Sequence, residues 1–126
     1  MPGNRTPEYL TTHILAGERL VFALDPEAAE LTRGIEHGRH GVTLVKEGAL
    51  RVVMVAMKPG NRLGEHAAVG PTTVLVLNGR VKFTMANEEL VLLQHQLVAF
   101  GPNVRHDALA EEDSTLLITV VMPQET

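Results

Sequence analysis

Two histidines, His66 and His106, are the residues of this chain best placed to do chemistry. His66 falls six residues after Gly60, in a stretch that runs through Ala68 and Thr72 to Asn78-Gly79. His106 closes the segment Gly101-Pro-Asn-Val-Arg-His106, a similar setting at a strand edge. Neutral imidazole ligates zinc, nickel, iron or manganese, and two imidazoles brought together by strands could equally grip a small organic ligand. Glu65 and Asp107 adjoin the histidines, but strand alternation turns neighbours to opposite faces, so neither completes a site unless a bulge intervenes. For His66 and His106 the alternative is a buried pair satisfied by each other or by water. His13, His37 and His40 lie in polar arm or loop segments, and His95 in a predicted exposed turn.

Other chemistries fail on the residues present. There is no cysteine, which removes disulfides, thiolate metal sites and cysteine nucleophiles. Ser114 is the sole serine and follows Glu111-Glu112-Asp113, an acidic turn rather than a nucleophile elbow. No glycine-rich phosphate loop occurs. The net charge of −4 gives no basic footprint for nucleic acid or an anionic membrane. Aromatic residues, at 3%, are too few for stacking platforms on single strands.

The elements that must position the histidines are strands. With 126 residues and 44% apolar content, the chain suits one domain with one core. Residues 1–10 read as a flexible arm, and 11–41 as a helical or extended segment. Within it Asp25-Pro26-Glu27 signals a helix start, with Asp25 as cap, and Gly34 signals the stop. Leu20 to Leu24 fits a strand or an earlier helical turn, and 34–41 reads as a loop.

From Val42 the pattern changes to short apolar runs divided by turns: Val42 to Val45, Leu50 to Met57, Leu63 to Ala68, Thr72 to Leu77, Arg80 to Met85, Glu89 to Leu93, Gln96 to Phe100, Val104 to Leu109 and Thr115 to Met122. Arg80 to Met85 alternates, with Val81, Phe83 and Met85 on one face. Asn78-Gly79 between two such runs predicts a hairpin. So many short strands without intervening helix predict an all-β antiparallel sandwich or barrel over 42–123.

On these residues the chain resembles the cupin superfamily, in particular small single-domain bacterial cupins of unassigned function. The family's first motif is Gly, five residues, His-x-His, three or four residues, Glu, six residues, Gly. Gly60, His66 and Gly79 fall on that spacing, with Ala68 at the second His and Thr72 at the Glu. The second motif is Gly, five residues, Pro-x-Gly, two residues, His. His106 matches its histidine, while His95, Gly101 and Asn103 replace the Gly, Pro and Gly, and Pro102 keeps the turn chemistry one position on.

The resemblance implies a cupin-type jelly-roll barrel with a short N-terminal helix, usually dimeric, with a ligand pocket at its centre. It also implies a metal site of three His and one Glu, of which only His66 and His106 remain. A metal at these two is therefore expected to be weakly held or absent: no tightly bound cofactor, and at most a loosely bound Zn, Ni, Fe or Mn ion. Thr72, Val74 and Val76 share the face of the first histidine, and with Ala68 and Ala108 are expected to line a small apolar cavity, unless side chains fill it as plain core.

Two functions are consistent with these residues: a non-catalytic cupin binding a small molecule, or a metal-dependent dioxygenase- or isomerase-type enzyme on two histidines. A purely structural role is a third. A homodimer is expected, because valine-rich edge strands need covering. No signal segment or membrane-spanning run is visible, so a cytoplasmic location is expected.

Overall fold

The computed structural model describes residues 19–123. The arm predicted over 1–10, and residues 11–18 with His13, lie outside the described residues. Helix α1 spans Leu24–Arg33. It is followed by β1 (Arg39–Glu47), β2 (Leu50–Met57), β3 (His66–Ala67), β4 (Thr72–Asn78), β5 (Arg80–Met85), β6 (Glu88–Leu93), β7 (Leu97–Phe100), β8 (Arg105–Ala110) and β9 (Ser114–Val121). The strands form two antiparallel sheets, in the order β1-β2-β9-β4-β7 and β3-β8-β5-β6. After β2 the chain passes repeatedly between the sheets, so the two faces enclose one interior in a jelly roll.

Strand parity creates two apolar layers. Val55, Met57, Val74, Val76 and Leu116 turn inward and meet Val81, Phe83, Leu92, Ala108 and Ala110 of the smaller sheet. The alternate residues Met54, Ala56 and Leu77 turn outward, where Ala28 and Leu31 of α1 cover them. β2 is thus buried on both faces toward its C-terminal end, which is why it reads as a nearly continuous apolar run. Burying a leucine such as Leu31 stabilises by roughly 2 kcal/mol. Leu44 joins Val42, and Leu77 joins Leu75, in the outer layer by strand alternation, and bulges interrupt the register between Thr43 and Val45 and between Val76 and Asn78.

The helix start differs from the sequence expectation. Ala23 is the N-cap and makes no side-chain cap bond, while Asp25 and Glu27 lie inside the first turn. There their charge complements the positive end of the helix dipole without capping it. Gly34 does end the helix, its N–H donating to the Glu30 and Leu31 carbonyls. The predicted loop is shorter than expected, because β1 begins at Arg39 and places His40 on an exposed strand end.

The Asn78-Gly79 hairpin is a clear correction. β4 pairs with β7 and β9, whereas β5 pairs with β6 and β8, so the dipeptide carries the chain from one sheet to the other. A type I′ hairpin turn needs positive φ at both central residues. Here Gly79 has φ +97° and Asn78 does not. The Arg80 N–H donates to Ser114 Oγ at 3.1 Å, fastening the corner to the start of β9. The tight hairpin sits one strand later, at Ala86 (φ +51°) and Asn87 (φ +67°), between β5 and β6.

Thr115 Oγ1 is buried with no hydrogen-bond partner among the described residues. A buried hydroxyl left unpaired costs about 1–3 kcal/mol. Thr115→Val keeps the shape and removes that cost, so it is expected to raise stability by about 1 kcal/mol in urea denaturation. A loss of stability would show that the hydroxyl has a partner.

Candidate functional site: a cavity beside His106

His106 lies on β8 with Ala108 and Ala110 on the same inward face, and it is 4% exposed. Its ring sits in an aromatic box. Phe83 of β5 stacks on it at 5.5 Å between centroids and 16° between planes, and Phe100 of β7 tilts against it at 4.5 Å. The ring Nδ1 lies 2.9 Å from the Val104 carbonyl oxygen. A carbonyl only accepts, so Nδ1 carries the proton and, in the neutral ring, Nε2 is the nitrogen with the lone pair.

The chain brings the two histidine positions together. β3 pairs with β8 so that His66 stands directly opposite His106, at forty residues' separation in sequence. The His66 side chain lies outside the described residues. β3 covers two residues, shorter than the strand predicted from Leu63 to Ala68, because Gly64 adopts φ +100° and breaks the ladder. Arg62 keeps an isolated bridge to Leu109.

The acidic neighbours point elsewhere. Asp107 accepts from Arg62 Nη1 at 3.0 Å and from the Gly64 N–H at 2.9 Å. Glu65 pairs with Arg105 at 2.9 Å, and that guanidinium holds the Glu65 carboxyl below the usual carboxylate range. Both carboxylates are thereby used in surface ion pairs, which join the β3 segment to β8.

Beside His106 the sheets leave a cavity of about 350 Å³. Val53, Val74 and Ile118 of the larger sheet and Phe83 and His106 of the smaller line it, with Ala68 and Thr72. Its volume and apolar character match small-molecule sites. Ala68, Thr72 and Val74, three of the five residues expected to line a cavity, are on this wall. Val76 and Ala108 share the inward parity, but both are 0% exposed and pack into the core with Met57, Val81 and Leu116, apart from the cavity wall.

Arg51 is a lining residue that sequence reasoning missed. It shares parity with Val53, Val55 and Met57 on β2, so it occupies an inward position of an otherwise apolar strand. A charge on the inward parity of such a strand is the signal that could have found it.

Two positions beside His106 carry no strong metal donor. Ala68 offers a methyl group, and the Thr72 hydroxyl is neutral and donates to the Gly70 carbonyl at 2.9 Å. Among the described residues no three metal-ligating side chains gather. Also among the described residues, no helix is long and apolar enough to cross a membrane.

No family model matches the chain, and no curated protein does. Solved structures do match. A conserved protein of unknown function from Streptococcus pyogenes is 26% identical with a TM-score of 0.67, covering 75% of this chain and 86% of its own. A cupin superfamily protein from Desulfitobacterium hafniense is 16% identical with a TM-score of 0.72, covering 82% of this chain and 91% of its own. An RmlC-like cupin from Shewanella frigidimarina is 21% identical with a TM-score of 0.65, covering 72% and 82%. Together with the two-sheet order and the pairing of β3 with β8, these likenesses show the fold: the chain is a cupin-fold protein, a jelly-roll barrel with one short helix laid on its outer face.

Proposed function

We propose that this protein binds a small organic molecule inside the barrel, beside His106, without catalysing a reaction. The observation that carries this reading is the cavity of about 350 Å³, whose wall among the described residues is apolar except for His106, Thr72 and Arg51. Such a wall supplies burial for a ligand's apolar body and a few polar contacts to orient it. The ligand positions filled by Ala68 and Thr72 argue against a tightly bound metal and for a role as a sensor or stabilising module.

Octanoate and 1-octanol serve as probes in titration calorimetry. Ala68→Phe puts an aromatic ring where the wall now carries a methyl group. It is expected to weaken both probes at least tenfold while the melting temperature moves by only a few degrees. Unchanged binding in a folded variant would remove the cavity as the site.

A second reading is a metal-dependent enzyme of dioxygenase or isomerase type, its two histidines completed by water or substrate. The register that sets His66 opposite His106 favours it. Near-stoichiometric iron, manganese or zinc in tag-free protein, lost on His66→Ala, would replace the first reading with this one.

The reading includes a homodimer. Val91 (42%), Leu93 (43%) and Leu97 (55%) are exposed on the edge strands β6 and β7, where an unpaired strand offers its backbone to a second copy. Light scattering is expected to give twice the chain mass; a monomer at micromolar concentration would overturn this part. The net charge of −4 supports a role without nucleic acid or membrane, and the absence of cysteine suits the reducing cytoplasm.

A further inference from the structure

We infer that the ligand of the cavity is an organic anion, an apolar body bearing one carboxylate, whose charge is taken by Arg51. This inference rests on the cavity being the binding site and adds the chemical class of what enters it.

Among the described residues, Arg51 is the one charged residue of the cavity wall apart from the titratable His106. It lies on the larger sheet, while His106 lies on the smaller. Val53, Ile118, Val120 and Met122 complete the apolar wall on its side. Among the described residues, no aspartate or glutamate lines the cavity. Arg51 is half-buried at the end of that wall, with its guanidinium beside the β1–β2 turn, where it is open to an anion entering the cavity.

Arg51 has a like-charged neighbour. The β1–β2 register sets Lys46 directly opposite Arg51, and like charges at opposite positions of an antiparallel pair destabilise the sheet. Neither residue forms an ion pair with a described carboxylate, whereas Arg62, Arg80 and Arg105 each do. In a chain of net charge −4, two adjacent cations without a carboxylate are a local excess of positive charge. That excess favours an anion arriving from solution.

The guanidinium is also oriented. Its Nη1 donates to the Gly48 carbonyl at 2.8 Å and the Leu50 carbonyl at 2.9 Å, on the turn that joins β1 to β2. A guanidinium has five N–H donors in a planar fork. Two are used on the turn, so the remaining donors can meet the two oxygens of a carboxylate side by side. The turn bonds hold the side chain in place before ligand arrives, which lowers the ordering cost of binding.

The test compares octanoate with 1-octanol, which share an apolar chain and differ in charge, by titration calorimetry on the full chain. The wild type is expected to bind octanoate at least tenfold tighter than octanol. Arg51→Gln is expected to abolish that preference while leaving octanol affinity within twofold. If Arg51→Gln does not fold, the wild-type preference is followed from low salt to 0.5 M sodium chloride, and in Lys46→Gln. It is expected to shrink several-fold in both, because the attraction is partly exposed to solvent. Equal affinity for the two probes would overturn the anion inference and leave the cavity reading standing. A preference for octanoate unchanged in folded Arg51→Gln, or, without that variant, unmoved by salt and in Lys46→Gln, would overturn the role of Arg51. Binding of neither probe would overturn both readings.

Discussion

Gly79→Ala is expected to lower stability by about 3 kcal/mol or more, enough to bring the melting temperature down by roughly 10–20 °C. Two costs combine. Gly79 has φ +97°, a region that a residue with a Cβ enters at about 1–2 kcal/mol. The added Cβ would also collide with Ser114 Oγ and the Asp113 carbonyl, and would approach Ser114 Cα to 2.6 Å. Overpacking of this kind against backbone costs about 1–3 kcal/mol more. The corner cannot yield easily, because Arg80 N–H and Ser114 Oγ are bonded across it. Gly48→Ala is the control: Gly48 also has positive φ, +54°, but its Cβ would meet nothing within 4 Å. It is expected to cost about 1 kcal/mol, from the backbone alone. Calorimetric melting of the two variants checks the difference; equal losses would mean that the collision relaxes freely.

Phe83→Ala is the second large effect, expected to cost about 3–5 kcal/mol in urea denaturation. Phe83 is 0% exposed and sits where the packed core meets the cavity wall. Its ring lies 5.7 Å from that of Phe100 and stacks on His106. The variant removes the face that fixes the His106 ring, so ligand affinity is expected to fall along with stability. Phe83→Leu retains most of the volume and loses the stack, and is expected to cost about 1–2 kcal/mol. A loss below 1 kcal/mol for Phe83→Ala would place the ring outside the load it carries in this account.

What could be read from the sequence was set by local spacing. The alternation of Val81 and Phe83 shows directly as buried inward positions. The motif spacing around His66 and His106 anticipates their meeting, because a cupin-type barrel pairs those two strands. What could not be read depends on partners distant in sequence. Asn78-Gly79 has the chemistry of a hairpin, but nothing within it reveals that β4 and β5 belong to different sheets. Val76 and Ala108 have the right parity for the cavity, and only the packing of Met57, Val81 and Leu116 decides that they are core. Arg51 was legible in principle, since an inward parity occupied by a charge breaks the pattern of its own strand.

Methyl-resolved NMR of the labelled chain, titrated with octanoate, tests the central claim most directly. The methyl groups of Val53, Val74 and Ile118 on the cavity wall are expected to shift together and saturably, while those of Leu31 and Leu44 in the helix-covered layer stay in place. Shifts confined to the helix-covered layer, or none on the cavity wall at millimolar octanoate, would contradict it.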